Sequence, residues 1–202
     1  MDVLGLYRSL RNKLSKTISK LRTSIIKCRC NVVIGKGSII YWKSPVDVRT
    51  GCKLDVGKES EIGRTKRGYH CGMPFPTTLL SDGENSSIVI GDFCRINGAY
   101  IHAKKEVRIG NNCVIASGVN IVDSNGHIVN SCDRTIERDD PKEIIIGNNV
   151  WIGMNCMVLK GTMIGNNCVV AAGSVVKGCF PDNCVISGNP AEKIRDIDIS
   201  LN

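Results

Sequence analysis

From Ile146 onward an aliphatic residue returns at every sixth position: Ile146, Ile152, Val158, Ile164, Val170 and Val176. A fixed period of this kind decides the architecture before local propensity is consulted. It is satisfied by a triangular coil, in which three six-residue strands make one 18-residue turn and the next turn stacks about 4.8 Å above it. The anchors then form apolar columns, with Ile146 under Ile164, Ile152 under Val170 and Val158 under Val176. Four positions after the first five anchors come Val150, Cys156, Thr162, Cys168 and Ser174, small enough to sit inside a tight corner. Gly147, Gly153 and Gly165 directly follow three anchors, where they are expected to give a sharp corner its backbone freedom.

The same phase runs upstream through Ile109, Ile115 and Ile121 and through Ile90 and Ile96, with Cys94 and Cys113 at the corner position. Before that it is looser, at Ile34-Gly35, Ile40, Val56-Gly57 and Ile62-Gly63, so coils begin near residue 31. This placement accounts for several of the 11 cysteines: Cys94, Cys113, Cys156 and Cys168 read as small buried packing residues. The count is odd and contains no C-x-x-C, which argues for reduced thiols over a disulfide framework. Cys28 and Cys30 have no partner pair at zinc spacing, and no metal site is expected.

The period breaks twice. Between Ile62 and Ile90, residues of about 64–87 stand outside it, including His70, Leu79 and Leu80. Between Ile121 and Ile146, residues of about 123–143 must be extruded, beginning Asp123-Ser-Asn-Gly-His127. A loop carried by a rigid repeat scaffold is a common place for function.

Residues 1–30 form an appendage, residues 31–202 one all-β repeat domain, and residues 178–202 its C-terminal tail. In the appendage Val3, Tyr7, Leu10, Leu14, Ile18, Leu21 and Ile25 recur at threes and fours, the signature of an amphipathic helix. Eight cations against Asp2 alone give this segment nearly all of the net charge of +8. The positive charge is therefore confined to one helix without aromatic interleaving, which excludes a nucleic-acid surface. The helix either caps the open end of the coil or lies on an anionic membrane surface. No apolar run approaches the ~18 residues that cross a bilayer. The expected location is the cytoplasm, and the second role of residues 1–27 would put the protein at the inner face of the membrane.

These residues together resemble the hexapeptide-repeat acyltransferase superfamily. The likeness rests on Ile109-Gly-Asn-Asn-Cys113, the loop Asp123 to His127, Ile146-Gly-Asn-Asn-Val-Trp-Ile-Gly153, Ala171-Ala-Gly-Ser-Val-Val176 and Gly188-Asn-Pro-Ala-Glu-Lys-Ile-Arg195. Within it the chain is most similar to the galactoside and maltose O-acetyltransferases and the bacterial polysaccharide O-acetyltransferases. The resemblance implies a left-handed parallel β-helix, acetyl-CoA as co-substrate and a homotrimer acting on a sugar or polysaccharide precursor. It makes His127 the catalytic histidine and puts Asn97 and Arg95 near the acceptor. Asp123 is a candidate to orient His127 or to bind the acceptor.

For the donor, the resemblance implies a groove between subunits. Backbone around Gly153, Ala172 and Ser174 would follow the pantetheine arm, Trp151 would shape the wall, and Lys177, Lys193 and Arg195 would meet the phosphates. Arg134, Glu137, Arg138, Asp139 and Asp140 follow the histidine and are expected to define the acceptor, while His102 could support Asn97. The chemistry asks for little more, because a thioester is already activated and a hydroxyl needs chiefly a base and a fixed position. An imidazole suits that task near neutral pH. Competing readings are a serine or aminosugar acetyltransferase and a non-catalytic repeat scaffold. A zinc hydratase on this fold is disfavoured by the spacing of the three histidines.

Overall fold

The computed structural model describes residues 3–29, 31–64 and 71–198. His70 and Cys30 lie outside the described residues. One helix, Val3–Lys27, is followed by short strands in three sheets of seven, eight and six strands. Each strand is bonded in parallel to the third strand on in the chain, which is the topology of a three-sided β-helix. The exception is Ala191–Asp196, which turns back antiparallel against Cys184–Gly188 and closes the eight-stranded sheet.

The register reproduces the six-residue period. Ile146 is paired with Ile164, Ile152 with Val170 and Val158 with Val176, all buried. Upstream, Ile62, Ile96 and Ile115 continue the column of Ile152. The core is thus a stack of aliphatic layers inside the prism. Cys94, Cys113, Cys156 and Cys168 are fully buried at its corners. Each Sγ–H donates to a carbonyl of the next coil, at Gly110, Gly147, Ala171 and Pro181 respectively, all at 3.1 Å. A cysteine there fills a small space and also links two turns.

The glycines act differently from the expectation. Gly110, Gly147 and Gly165 keep ordinary negative φ, and the left-handed residues are instead Asn112, Asn149 and Asn167 (φ 54–58°) two positions on. What requires glycine is proximity: a Cβ on Gly110 would lie 2.7 Å from the Gly147 carbonyl carbon, and one on Gly147 2.8 Å from the Asn166 nitrogen. The preceding asparagines form a ladder, with Asn111, Asn148 and Asn166 N–H groups donating to the side chains of Asn148, Asn166 and Asp182 at 2.7–2.8 Å.

The first interruption is shorter than the period implied. Leu79 and Leu80 belong to a regular strand, Thr78–Ser81, with Leu79 fully buried between Val46 and Ile101. Among the described residues the coil is left after Ile62 and taken up again at Thr78, 16 residues on and out of phase with six.

The helix caps the first coil, but not through its apolar stripe. Ser19 and Thr23 are buried against it: Thr23 Oγ1 accepts the Ile40 N–H at 3.1 Å and Ser19 Oγ the Trp42 N–H at 3.1 Å. Arg22 donates to the Tyr41 carbonyl at 3.0 Å, and Ile26 joins the core. These groups satisfy backbone that an open coil end would leave unpaired. Replacing Thr23 with Ala strands the buried Ile40 N–H and is expected to cost about 1–3 kcal/mol in denaturant unfolding; an unchanged midpoint would contradict the capping role. Leu10, Leu14, Leu21 and Ile25 remain exposed.

Candidate active site

Stacking in register also lines up whatever follows each anchor. In the eight-stranded sheet the column Ile62, Ile96, Ile115, Ile152, Val170 places Gly63, Asn97, Ala116, Gly153 and Ala171 one above another at the corner towards the six-stranded sheet. A groove of about 640 Å³ runs along this corner, lined by Asn97, Arg95, Trp151, Gly153 and Ala172 among others. Trp151 is 55% exposed and projects from the sheet between Val114 and Val169. Gly153 has no room for a side chain, since a Cβ would stand 2.6 Å from the Ala172 nitrogen. The result is a narrow trough with an apolar wall and exposed backbone.

Asn97 is almost buried in this trough. Its Oδ1 accepts the Arg64 N–H at 2.9 Å, which fixes the amide orientation and leaves Nδ2 as the donor end. Arg95 reaches back to the Glu59 carbonyl at 2.9 Å. The returning first insertion closes this part of the groove: the Gly98 N–H donates to Thr77 Oγ1 at 2.7 Å, Ser117 Oγ donates to the Gly72 carbonyl, and Cys71 reaches the lining.

The second extruded loop leaves at a different corner, between Asn120–Val122 of the six-stranded sheet and Ile144–Ile146 of the seven-stranded sheet. His127 is exposed on it and is not among the groove's described lining residues. Its Nδ1 is bonded to the Arg134 carbonyl, with Arg138 Nη1 3.3 Å away. The Arg134 carbonyl can only accept, so this closer bond calls for a proton on Nδ1, in competition with the Arg138 N–H that also faces it; among the described residues Nε2 has no hydrogen-bond partner.

The two loop acids exchange the roles their positions suggest. Asp123 neither orients His127 nor faces an acceptor: it is buried, and its oxygens accept the N–H groups of Lys104, Lys105 and Glu106 at 2.7–2.9 Å. Burial pushes its carboxyl above the usual range in spite of those bonds. Asp139 instead braces the turn before the histidine. It accepts from Ser124 Oγ at 2.6 Å, from the N–H groups of Asn125 and Gly126 at 2.7 and 3.0 Å, and from Lys160 Nζ at 2.6 Å. Burial opposes its ionisation, but the Lys160 ammonium and the other donors prevail and hold its pKa at about 2. Gly126 itself sits at φ 78°, where a side chain is strained.

Lys160 comes from the next coil and carries no sequence signal of its own. It also bonds the Asp140 carbonyl at 3.0 Å, so loop and scaffold are tied through one cation.

The remaining expected residues separate. Arg195 pairs in register with Val185, which continues the Trp151 and Val169 column on the outer face of the same sheet. Lys193 lies on the same closing strand and is paired with Asp196 at 2.6 Å. The Ser174 side chain is buried and donates to the Ala171 carbonyl at 2.7 Å. Lys177 follows Val176 at the corner from which the histidine loop leaves, a side of the prism away from Gly153. His102 does not support Asn97; it projects from the six-stranded sheet and bonds Asp82 Oδ1 at 2.7 Å, beside Lys104. Glu137 is exposed on the loop.

Comparison with known proteins gives the same architecture. Residues 143–178 match the family model described as bacterial transferase hexapeptide (six repeats). A candidate lipopolysaccharide biosynthesis O-acetyl transferase of Escherichia coli K12 is 38% identical over 118 residues, 54% of this chain and 60% of that protein. The galactoside O-acetyltransferase of the same strain is 40% identical over 123 residues, 61% of this chain and 60% of that one. The chain therefore spans 60% of the length of each of these relatives. A solved galactoside acetyltransferase in complex with coenzyme A superposes with a TM-score of 0.56 at 26% identity, covering 94% of this chain and 80% of that one.

Proposed function

We propose that the chain is a hexapeptide-repeat transferase built as a left-handed parallel β-helix, and that it works as an acetyl-CoA-dependent O-acetyltransferase acting on a sugar or polysaccharide precursor. The observation that carries this reading is the bond between His127 Nδ1 and the Arg134 carbonyl, which turns the ring so that Nε2 is open on a braced loop. In the reaction Nε2 takes the proton of the acceptor hydroxyl while its oxygen attacks the thioester carbonyl. Asn97 Nδ2 or a groove backbone N–H stabilises the oxyanion, and the thiolate leaves without an acyl-enzyme. The trough from Ala116 to Ala172 suits a thin pantetheine arm. Arg195, at the end of the Trp151 column, suits the nucleotide phosphates.

Because the groove and His127 occupy different corners of one prism, each active site would need the loop of a second copy, an arrangement that the expected homotrimer would supply. The reading is tested by thiol release from acetyl-CoA across galactosides, aminosugars, serine and lipid-linked oligosaccharides. Release with hydroxyl sugars is expected. Release only with amines would make the chain an N-acetyltransferase, and no acetyl-CoA binding would make it a scaffold.

The exposed helix stripe extends the reading to location. No described helix is long and apolar enough to cross a membrane. Leu10, Leu14, Leu21 and Ile25 nonetheless face outward on a segment with Arg11, Lys13, Lys16, Lys20 and Lys27 and no acid between Val3 and Lys27. Such a surface suits anionic lipid. Deleting the helix would also remove the cap, so the informative variant replaces Leu10, Leu14 and Leu21 with Gln. Wild type is expected to float with phosphatidylglycerol vesicles and the variant to stay behind; flotation of neither would contradict a lipid contact.

A further inference from the structure

The corner that carries the groove continues below Asn97, and its character changes there. One and two coils down, the positions after Ile62 and Ile40 hold Gly63-Arg64 and Tyr41-Trp42. Lys43 follows, and the N-terminal half of the helix lies alongside. Together they enclose a second hollow of about 780 Å³, whose described lining includes Trp42, Lys43, Arg64, Tyr7 and Arg11. A smaller hollow of about 210 Å³ adjoins it, and Arg64 lines both as well as the groove. The trough is therefore continuous, apolar and small-sided above Asn97, aromatic and cationic below it.

The larger hollow is cationic, while Glu61 lines the adjoining smaller hollow and the groove beside Arg64 and accepts from the Tyr41 hydroxyl at 3.4 Å. Arg11, Lys43 and Arg64 make no salt bridge among the described residues, and the described lining of the larger hollow contains no acid. Lys43 Nζ lies 5.1 Å from the centre of the Trp42 ring and the Arg11 guanidinium 5.5 Å from that of Tyr7, so two cations are held on aromatic faces. Trp42 is 43% exposed, a high value for the largest side chain. Ser15 Oγ, on the helix face that lines the hollow, is buried without a hydrogen-bond partner among the described residues. Three cations brought together gain most from a ligand that supplies negative charge, and exposed aromatic rings suit the C–H face of a sugar.

Resting on the acetyltransferase reading above, we infer that this lower trough is the acceptor subsite and that it takes a saccharide bearing an anionic group. The acetylated hydroxyl lies at Asn97, and the anionic group lies among Arg64, Lys43 and Arg11. At about 4.8 Å per coil the two points are roughly 5–10 Å apart, which a single substituted sugar residue can span. Acceptor and donor then approach Asn97 from opposite ends of one corner.

The test is equilibrium binding of galactose, galactose phosphate and galacturonate to the full chain without acetyl-CoA, followed by thiol release with each. The anionic sugars are expected to bind more tightly than galactose, with an advantage that shrinks as salt is raised. Arg11→Gln and Lys43→Gln should each weaken anionic-sugar binding on the order of tenfold. Lys53→Gln, on the seven-stranded sheet, should leave it unchanged. Circular dichroism of each variant separates lost binding from lost folding. Equal binding of all three sugars, or an anionic preference that survives both substitutions, overturns the inference even if every sugar is acetylated. Anionic binding lost in both variants but with no thiol released would uphold the subsite and overturn the transferase reading.

Discussion

Replacing His127 with Ala is expected to lower turnover by about 10²- to 10⁴-fold, the range for loss of a general base. The KM for acetyl-CoA should stay close to that of wild type, because in the proposed reaction Nε2 meets the acceptor hydroxyl and not the donor. Stability should also be preserved, since the ring is exposed and its one close bond is to a carbonyl that water can satisfy. His127→Gln separates position from basicity: an amide can occupy the site but cannot take a proton near neutral pH. Steady-state thiol release reads both variants. Comparable turnover in either would remove His127 from the mechanism, and a large rise in donor KM would mean that the loop binds the donor.

Asp139→Ala is expected to cost about 10²-fold in turnover although the side chain touches no reacting atom. Asp139 is a positioning residue, holding the Asn125 and Gly126 N–H groups and Lys160 at once, and His127 follows directly on the turn so fixed. A displacement of about 1 Å in a base is enough for a loss of that size. The effect should fall on kcat and spare the KM for acetyl-CoA. Asp139→Asn keeps an acceptor for the two N–H groups and should recover part of the turnover.

The pH dependence of stability gives a second readout. The folded carboxyl is held at about 2, below its unfolded value, so its stabilisation is fully present above about pH 4 and is lost as pH falls towards 2. Its size is about 2 kcal/mol. Wild type and Asp139→Asn should therefore differ by a constant amount above about pH 4 and converge near pH 2. A difference that persists at pH 2 would show that packing, and not the ionised carboxylate, braces the loop.

These two residues also mark how far the sequence reaches. The aliphatic columns are legible because a period of six is preserved by stacking: Ile146 under Ile164 is both a count and a contact. Leu79 escapes the count because the first insertion returns the chain out of phase, and burial between Val46 and Ile101 restores the column only in space. Asp123 and Asp139 are both loop acids, and no spacing rule tells which turns inward. The decisive partner of Asp139 is Lys160, 21 residues on and one coil away.

Some of these placements can be read from the phase itself. Ser174 stands at the fourth position after Val170, the place that holds buried side chains in the other coils, and it is buried. Lys177 follows an anchor of the six-stranded sheet, whereas Gly153 and Asn97 follow anchors of the eight-stranded one, so their corners differ. The helix illustrates a different limit. Its apolar stripe is obvious in the sequence, yet the face that meets the coil is the polar one of Ser19, Arg22 and Thr23, chosen by unpaired backbone at the coil end. Hydrophobic periodicity reports which face could be buried, not which one this neighbour needs.

The most direct test of the account follows the acetyl group itself. Acetyl-CoA labelled in the acetyl carbon is incubated with the protein and a saccharide acceptor, and the saccharide is recovered and treated with mild alkali. The account predicts label on the sugar that mild alkali releases, as an ester must, and none when His127 is replaced by Ala. Label that resists mild alkali, or label transferred equally by the His127→Ala variant, would contradict it.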